Sequence, residues 1–92
     1  MSQTRCVHLI ISGRVQGVGY RAFTTSLAKR LGVDGWVRNR RDGNVETVIS
    51  GPEQVVDEMI SELRKGPLAS RVDNIKIEAY NAITEQGFKR LE

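Results

Sequence analysis

The apolar positions of this chain change period along its length, and the order of those changes is what most limits the fold. From Cys6 to Ile11, Val7, Leu9 and Ile11 fall on one face and Cys6, His8 and Ile10 on the other, the period of two expected of a strand. From about Arg21 to Leu31, Phe23, Leu27 and Leu31 recur at i, i+4 and i+8, and Gly32 stands where a glycine ends a helix. Period two returns in Gly35–Arg40 and Asn44–Ser50, which flank Arg41-Asp42-Gly43 and predict a hairpin. Gly51-Pro52 then predicts a cap with proline at the first helical position, and Val55, Val56, Met59, Ile60 and Leu63 form the stripe of a second helix, ended by Gly66-Pro67. Arg71–Ala79, with Ile75 and Ile77 alternating, is a further strand, and Gly87–Leu91 adds a short terminal piece.

The order βαββαβ predicts an α+β, ferredoxin-like sandwich, an antiparallel sheet with both helices on one face. The length of the hairpin loop follows from side-chain facing, because a one-residue slip moves every side chain to the other face. A two-residue Asp42-Gly43 turn separates Val37 from Val45 and Ile49. A three-residue loop with Gly43 left-handed puts Val37, Val45 and Ile49 together with Asn39 and Thr47, and leaves Trp36, Arg38 and Arg40 on the more open face. The crossover from strand 1 through helix 1 makes strands 1 and 2 parallel. Asn39, near the end of strand 2, is thereby expected at the same sheet edge as the loop that follows strand 1.

That loop, Gly13-Arg14-Val15-Gln16-Gly17-Val18-Gly19-Tyr20-Arg21, joins strand to helix with three glycines and two arginines. Glycines let successive backbone N–H groups turn inward, and the unpaired N–H groups of a helix's first turn attract an anion. A tight connection in which glycine only relieves strain is the simpler alternative. Arg21 argues against it: a cation in a first helical turn opposes the macrodipole, whereas beside a phosphate it supplies a planar, bidentate fork. Charge is distributed in the same sense. Residues 1–41 hold eight Lys/Arg against one acid, and residues 42–92 hold six against ten, within a formal net charge of +3.

Ninety-two residues are enough for one domain, 1–92, and 27% charged residues with no apolar run of membrane length indicate a soluble protein with no membrane association. The N-terminus lacks the apolar core of a secretory signal, and a single cysteine, Cys6, forms no internal disulfide, so a cytoplasmic, reducing setting is expected with Cys6 as a small strand residue. Gly17-x-Gly19-x-x-Ala22 matches a dinucleotide fingerprint formally, but the hairpin, the short chain and the use of Asp42 in a turn exclude that reading. No His/Cys cluster has metal-ligand spacing, so no metal or cofactor is expected; His8 reads as a semi-exposed sheet residue, and Glu53, Asp57, Glu58 and Glu62 as a solvated helix face.

Without an acid–base pair the accessible chemistry narrows. A phosphate ester or amide needs help for a poor leaving group, whereas an acyl phosphate expels a carboxylate already stable at neutral pH. A phosphate cradle, a cation for the equatorial oxygens and a water oriented by Asn39 suffice, because phosphoryl transfer is mainly positioning and electrostatics.

Two blocks, Gly13-x-Val15-Gln16-Gly17-Val18-x-Tyr20-Arg21 and Gly35-Trp36-Val37-Arg38-Asn39-x-x-x-Gly43-x-Val45, the second running on to Gly51, give the chain a specific resemblance to the acylphosphatase family over almost its whole length. The resemblance implies hydrolysis of a small acyl phosphate to a carboxylate and inorganic phosphate without metal or cofactor. It implies that Arg21 binds the phosphate, that the amides of Val15, Gln16, Gly17, Val18, Gly19 and Tyr20 cradle it, and that Asn39 orients the attacking water. A monomer is the expected form. A nucleic-acid-binding module is the rival reading, but the expected central strands, Cys6–Ile11 and Asn44–Ser50, carry no aromatic on which a base could stack. A phosphate-binding domain without turnover is the third.

Overall fold

The computed structural model describes residues 3–81 and 85–92. Its elements are β1 (Thr4–Arg14), α1 (Tyr20–Leu31), β2 (Asp34–Asn39), β3 (Val45–Pro52), α2 (Glu53–Lys65), β4 (Arg71–Ala79) and β5 (Phe88–Arg90). The strands form one sheet in the order β4-β1-β3-β2-β5. Val7, Leu9 and Ile11 of β1, Val37 of β2, and Val45 and Ile49 of β3 share the face buried beneath the helices, packed with Leu27 and Ala28 of α1 and with Val56, Met59, Ile60 and Leu63 of α2. Leu9, Ile11, Ile49, Met59 and Leu63 are fully buried, and each such side chain contributes about 1.5–3 kcal/mol relative to exposure.

The sheet is mixed rather than antiparallel throughout. β1 pairs antiparallel with β3 and β4, and β3 with β2, but β5 runs parallel to β2 with Gly35 opposite Phe88 and Val37 opposite Arg90. β4 ends at Ala79, opposite Val7 near the start of β1, at the sheet end where β2 also begins. A chain rejoining the sheet at the start of β2 can only run alongside it in the same direction. The Gly87 N–H donates to the Asp34 carboxylate at 2.8 Å, the Gly35 N–H to the Gly87 carbonyl at 3.0 Å, and the Leu91 N–H to the Val37 carbonyl at 2.8 Å. β1, β2 and β5 therefore all deliver their C-terminal ends to one edge.

The hairpin has the three-residue loop that side-chain facing predicts. Asn39 opposite Val45 is the last ladder pair, and the Arg40 N–H donates to the Asn44 carbonyl at 2.8 Å, leaving Arg41, Asp42 and Gly43 as the loop. Gly43 has φ 92°. Asp42 braces the turn, one carboxylate oxygen accepting from the Asn44 N–H at 3.0 Å and the other from Arg40 Nε at 3.1 Å. The Asn44 amide, aided by the Arg40 guanidinium, holds the Asp42 carboxyl below its usual range.

The helices depart from expectation in detail. The buried stripe of α1 is Tyr20, Thr24, Leu27 and Ala28, with Phe23 and Leu31 only partly covered. Thr24 tolerates burial because its hydroxyl donates to the Tyr20 carbonyl at 2.8 Å. Pro52 closes β3 and stands before α2 instead of inside its first turn, and the Glu53 N–H donates to the Gln3 carbonyl at 2.8 Å. On the face away from the helices, the Glu46 carboxylate, 9% exposed, meets His8 Nε2 at 2.6 Å and accepts from Arg38 Nε at 2.6 Å. His8 stacks on Tyr80 at 5.6 Å and Arg38 lies over the Trp36 ring at 5.4 Å. Burial alone raises the Glu46 carboxyl, but hydrogen bonds from His8 and Arg38 and their charge outweigh it and hold the group below the usual carboxylate range.

Candidate active site

Between β1 and α1 the chain is anchored at both ends of its glycine loop. The side chains of Val15 and Tyr20 sink into the core, 1% exposed each, and the Tyr20 hydroxyl donates to the Leu63 carbonyl at 2.6 Å. Burial pushes the Tyr20 phenol well above its ordinary range, so it stays a neutral donor. Gly17 and Gly19 lie between these anchors at φ 74° and 81°, in the left-handed region that side chains avoid. A Cβ at either would meet nothing within 4 Å, so glycine is required there by the backbone and not by space.

Gly19 is the residue that caps α1, and it has no side chain to do so. An ordinary cap is a β-region Ser, Thr, Asp or Asn whose oxygen takes one of the first N–H groups. Here that hydrogen bond is absent, and among the described residues the N–H groups of residues 16–22 donate to no acceptor in the chain. No acidic residue occupies the first turn, and Arg21 does. A run of free amides, the positive end of the helix and a guanidinium thus coincide, which is the donor set for a phosphoryl group.

β2 brings Asn39 to this corner. A cleft of about 130 Å³ is lined by Val15, Gly17, Gly19, Tyr20, Arg21, Asn39 and Arg90. Gln16 and Val18 are not among its walls: the Gln16 side chain reaches the hairpin, its Nε2 donating to the Arg40 carbonyl at 2.7 Å and the Asn44 carbonyl at 2.8 Å, and Val18 packs partly buried against the core. Asn39 is half-buried, and its side-chain amide makes no hydrogen bond to another described residue, which leaves both its donor and its acceptor for a water.

The third wall comes from the segment whose position the periodicity did not predict. Because β5 runs parallel to β2, Arg90, Leu91 and Glu92 join Arg21 and Asn39 around a wider mouth of about 450 Å³. Arg21 Nη1 donates to the Leu91 carbonyl at 2.9 Å, which fixes one arm of the guanidinium. Arg90 is a second cation at the cleft; its only trace in the sequence is the pair Lys89-Arg90 in a segment without alternation. Beyond Asn39 a groove of about 730 Å³ is lined by Arg38, Asn39, Arg40, Arg41, Asp42 and Glu92, all polar or charged residues. Among the described residues no group of three His, Cys, Asp or Glu side chains could hold a metal, and no helix is long and apolar enough to cross a membrane.

Known proteins share the sequence and the fold of this chain. The acylphosphatase family model matches residues 7–90. An acylphosphatase of Rhizorhabdus wittichii is 53% identical over 78 residues, 85% of this chain and 79% of that one. The crystal structure of the Bacillus subtilis acylphosphatase superposes with a TM-score of 0.91 at 31% identity, covering 98% of this chain and all of its own. A Coxiella burnetii acylphosphatase gives the same TM-score and identity, covering 96% of this chain and 93% of that one. With the family model spanning nearly the whole chain and a relative more than half identical across most of it, the protein belongs to the acylphosphatase family.

Proposed function

We propose that this acylphosphatase hydrolyses its substrate, a small acyl phosphate, in the cleft between the glycine loop, Arg21 and Asn39. The observation that carries the reading is the uncapped start of α1, where free amide N–H groups and Arg21 face the same cleft as Asn39. The amides of Val15 to Tyr20 hold the phosphoryl oxygens, and the free arm of the Arg21 guanidinium binds the equatorial oxygens as their charge is redistributed. Asn39 binds a water opposite the leaving group. The water oxygen forms a bond to phosphorus as the P–O bond to the acyl group breaks; the electron pair leaves with the carboxylate, and the water proton ends on the phosphate. No general acid is needed because the carboxylate is a stable anion at neutral pH, and the protein's contribution is positioning and electrostatic stabilisation.

Two features support the finer parts of the reading. The single cysteine suits a reducing, cytoplasmic setting. β1 and β3, at the middle of the sheet, carry no Phe, Tyr or Trp on which a base could stack, which disfavours a nucleic-acid ligand. The test is hydrolysis of benzoyl phosphate in the presence of chelator. Turnover is expected in the wild type and its collapse in Arg21→Gln and Asn39→Ala; turnover that chelator abolishes, or that survives in both variants, refutes the mechanism.

A further inference from the structure

We infer that Gln16 is a positioning residue that sets the distance between the phosphate cradle and Asn39, through its side chain and not only its backbone amide. The inference rests on the reading of the cleft given above.

Two of the pieces that form the cleft, the loop after β1 and the end of β2, are far apart in sequence. Nothing in the ladder joins them directly, because β3 lies between β1 and β2. Among the described residues, the side-chain hydrogen bonds between the glycine loop and the hairpin turn are the two from Gln16 Nε2, to the carbonyls of Arg40 at 2.7 Å and Asn44 at 2.8 Å. Both hydrogens of one primary amide are thus spent on the residue pair that closes the hairpin, since the Arg40 N–H also donates to the Asn44 carbonyl. Arg40 follows Asn39 directly. The turn is already rigid within itself, braced by Asp42 on Asn44 and Arg40. Gln16 therefore grips a stiff element one residue from the water-binding side chain and ties it to the loop that holds the phosphate.

The residue type fits the task. Two carbonyl acceptors call for one side chain with two hydrogens on a single nitrogen, at a reach longer than asparagine provides. An uncharged donor leaves the field of the cleft to Arg21 and Arg90, where a lysine would compete for the anion and a glutamate would present oxygen to oxygen. Loss of the tie should leave the cradle itself intact, because Val15 and Tyr20 anchor it in the core independently. Phosphate affinity and turnover are then separable: the first depends on the loop and Arg21, the second on where Asn39 stands relative to them. Small misplacements of a positioned nucleophile can cost about 100-fold in rate.

The experiment compares wild type with Gln16→Met, which keeps length and shape without hydrogen bonds, and with Gln16→Glu. Benzoyl phosphate kinetics, the inhibition constant of inorganic phosphate and the thermal midpoint are measured on each. Gln16→Met is expected to lower kcat by about 10–100-fold while the phosphate constant stays within about threefold. Gln16→Glu is expected to regain part of its kcat, relative to wild type at the same pH, as the pH falls through the carboxylate range near 4.3, where its protonated form can donate one hydrogen bond. That rescue is one that a merely structural role would not give. Gln16→Met with wild-type kcat overturns the inference, as does parallel loss of kcat and phosphate binding, or a Gln16→Glu enzyme whose relative activity does not depend on pH. If Asn39→Ala retains full turnover, the reading of the cleft fails and the inference with it; if Asn39→Ala is inactive and Gln16→Met is not, the inference alone fails.

Discussion

Gly19→Ala separates backbone strain from packing at a left-handed position of the site. Gly19 holds φ 81° and ψ 19°, and a Cβ there would meet nothing within 4 Å. The added methyl therefore has no clash to make, and the cost is that of placing an L-residue in the left-handed region, about 1–2 kcal/mol. If the loop keeps its shape, that cost appears as lost stability, a fall in Tm of roughly 4–16 °C for a domain of this size. If the loop relaxes instead, the free amides at the start of α1 move off the phosphate and the cost appears as weaker phosphate binding, roughly 5–30-fold. Thermal denaturation with and without saturating phosphate, together with the phosphate inhibition constant, measures both. The comparison with Gly19→Asn is the sharper one. Asparagine is larger than alanine but enters the left-handed region more readily, so it should be the milder change. Equal Tm and phosphate affinity in Gly19→Ala and wild type, or a Gly19→Asn enzyme worse than Gly19→Ala, would refute the assignment of this glycine to backbone geometry.

Two further outcomes follow from the open face and the outer groove. Glu46 is a nearly covered carboxylate whose pKa His8 and Arg38 lower, so its stabilisation is complete above its unfolded value of about 4.5 and is lost as pH falls through the lower folded value. Glu46→Gln should therefore cost about 1.5–3 kcal/mol at pH 7 and progressively less below pH 4.5, read by urea denaturation; a cost that is constant from pH 7 to pH 3 contradicts this. The groove beyond Asn39 is lined only by polar and charged residues, so lengthening an unbranched acyl chain should change kcat/KM by much less than the roughly fourfold per methylene that burial at about 0.8 kcal/mol would give. A steady fourfold rise from acetyl to butyryl phosphate would reveal an apolar subsite.

Local chemistry was readable wherever one residue's constraint is short-range. The three-residue hairpin loop followed from which face Val37, Val45 and Ile49 must share, and the ladder pair Asn39–Val45 carries it out. Arg21 in an acid-free first turn was visible as an electrostatic mismatch, and strand order then carried Asn39 to the same edge. What the sequence concealed depends on partners far away along the chain. Phe88–Arg90 is too short and too charged to show a period, and its direction is set by where β4 ends. Thr24 sits in the core of α1 only because a backbone carbonyl four residues back accepts its hydroxyl, so apolar periodicity chose Phe23 and Leu31 instead. Gln16 looked like one more loop amide; its side-chain role exists only once residues 40 and 44 are beside it. His8, Arg38 and Glu46 come from three strands, and nothing local announces their meeting.

In the proposed mechanism one part of the cleft binds phosphate and another acts on water, and the phosphate inhibition constant measured beside kcat tells the two apart. In Arg21→Gln both should deteriorate, because the proposed mechanism has the guanidinium contact the phosphoryl oxygens in substrate, transition state and product. In Asn39→Ala kcat should collapse while inorganic phosphate binds within about threefold of wild type, an interaction lost only from the reacting water. Loss of phosphate binding in Asn39→Ala equal to that in Arg21→Gln, or turnover retained without Asn39, would contradict the account.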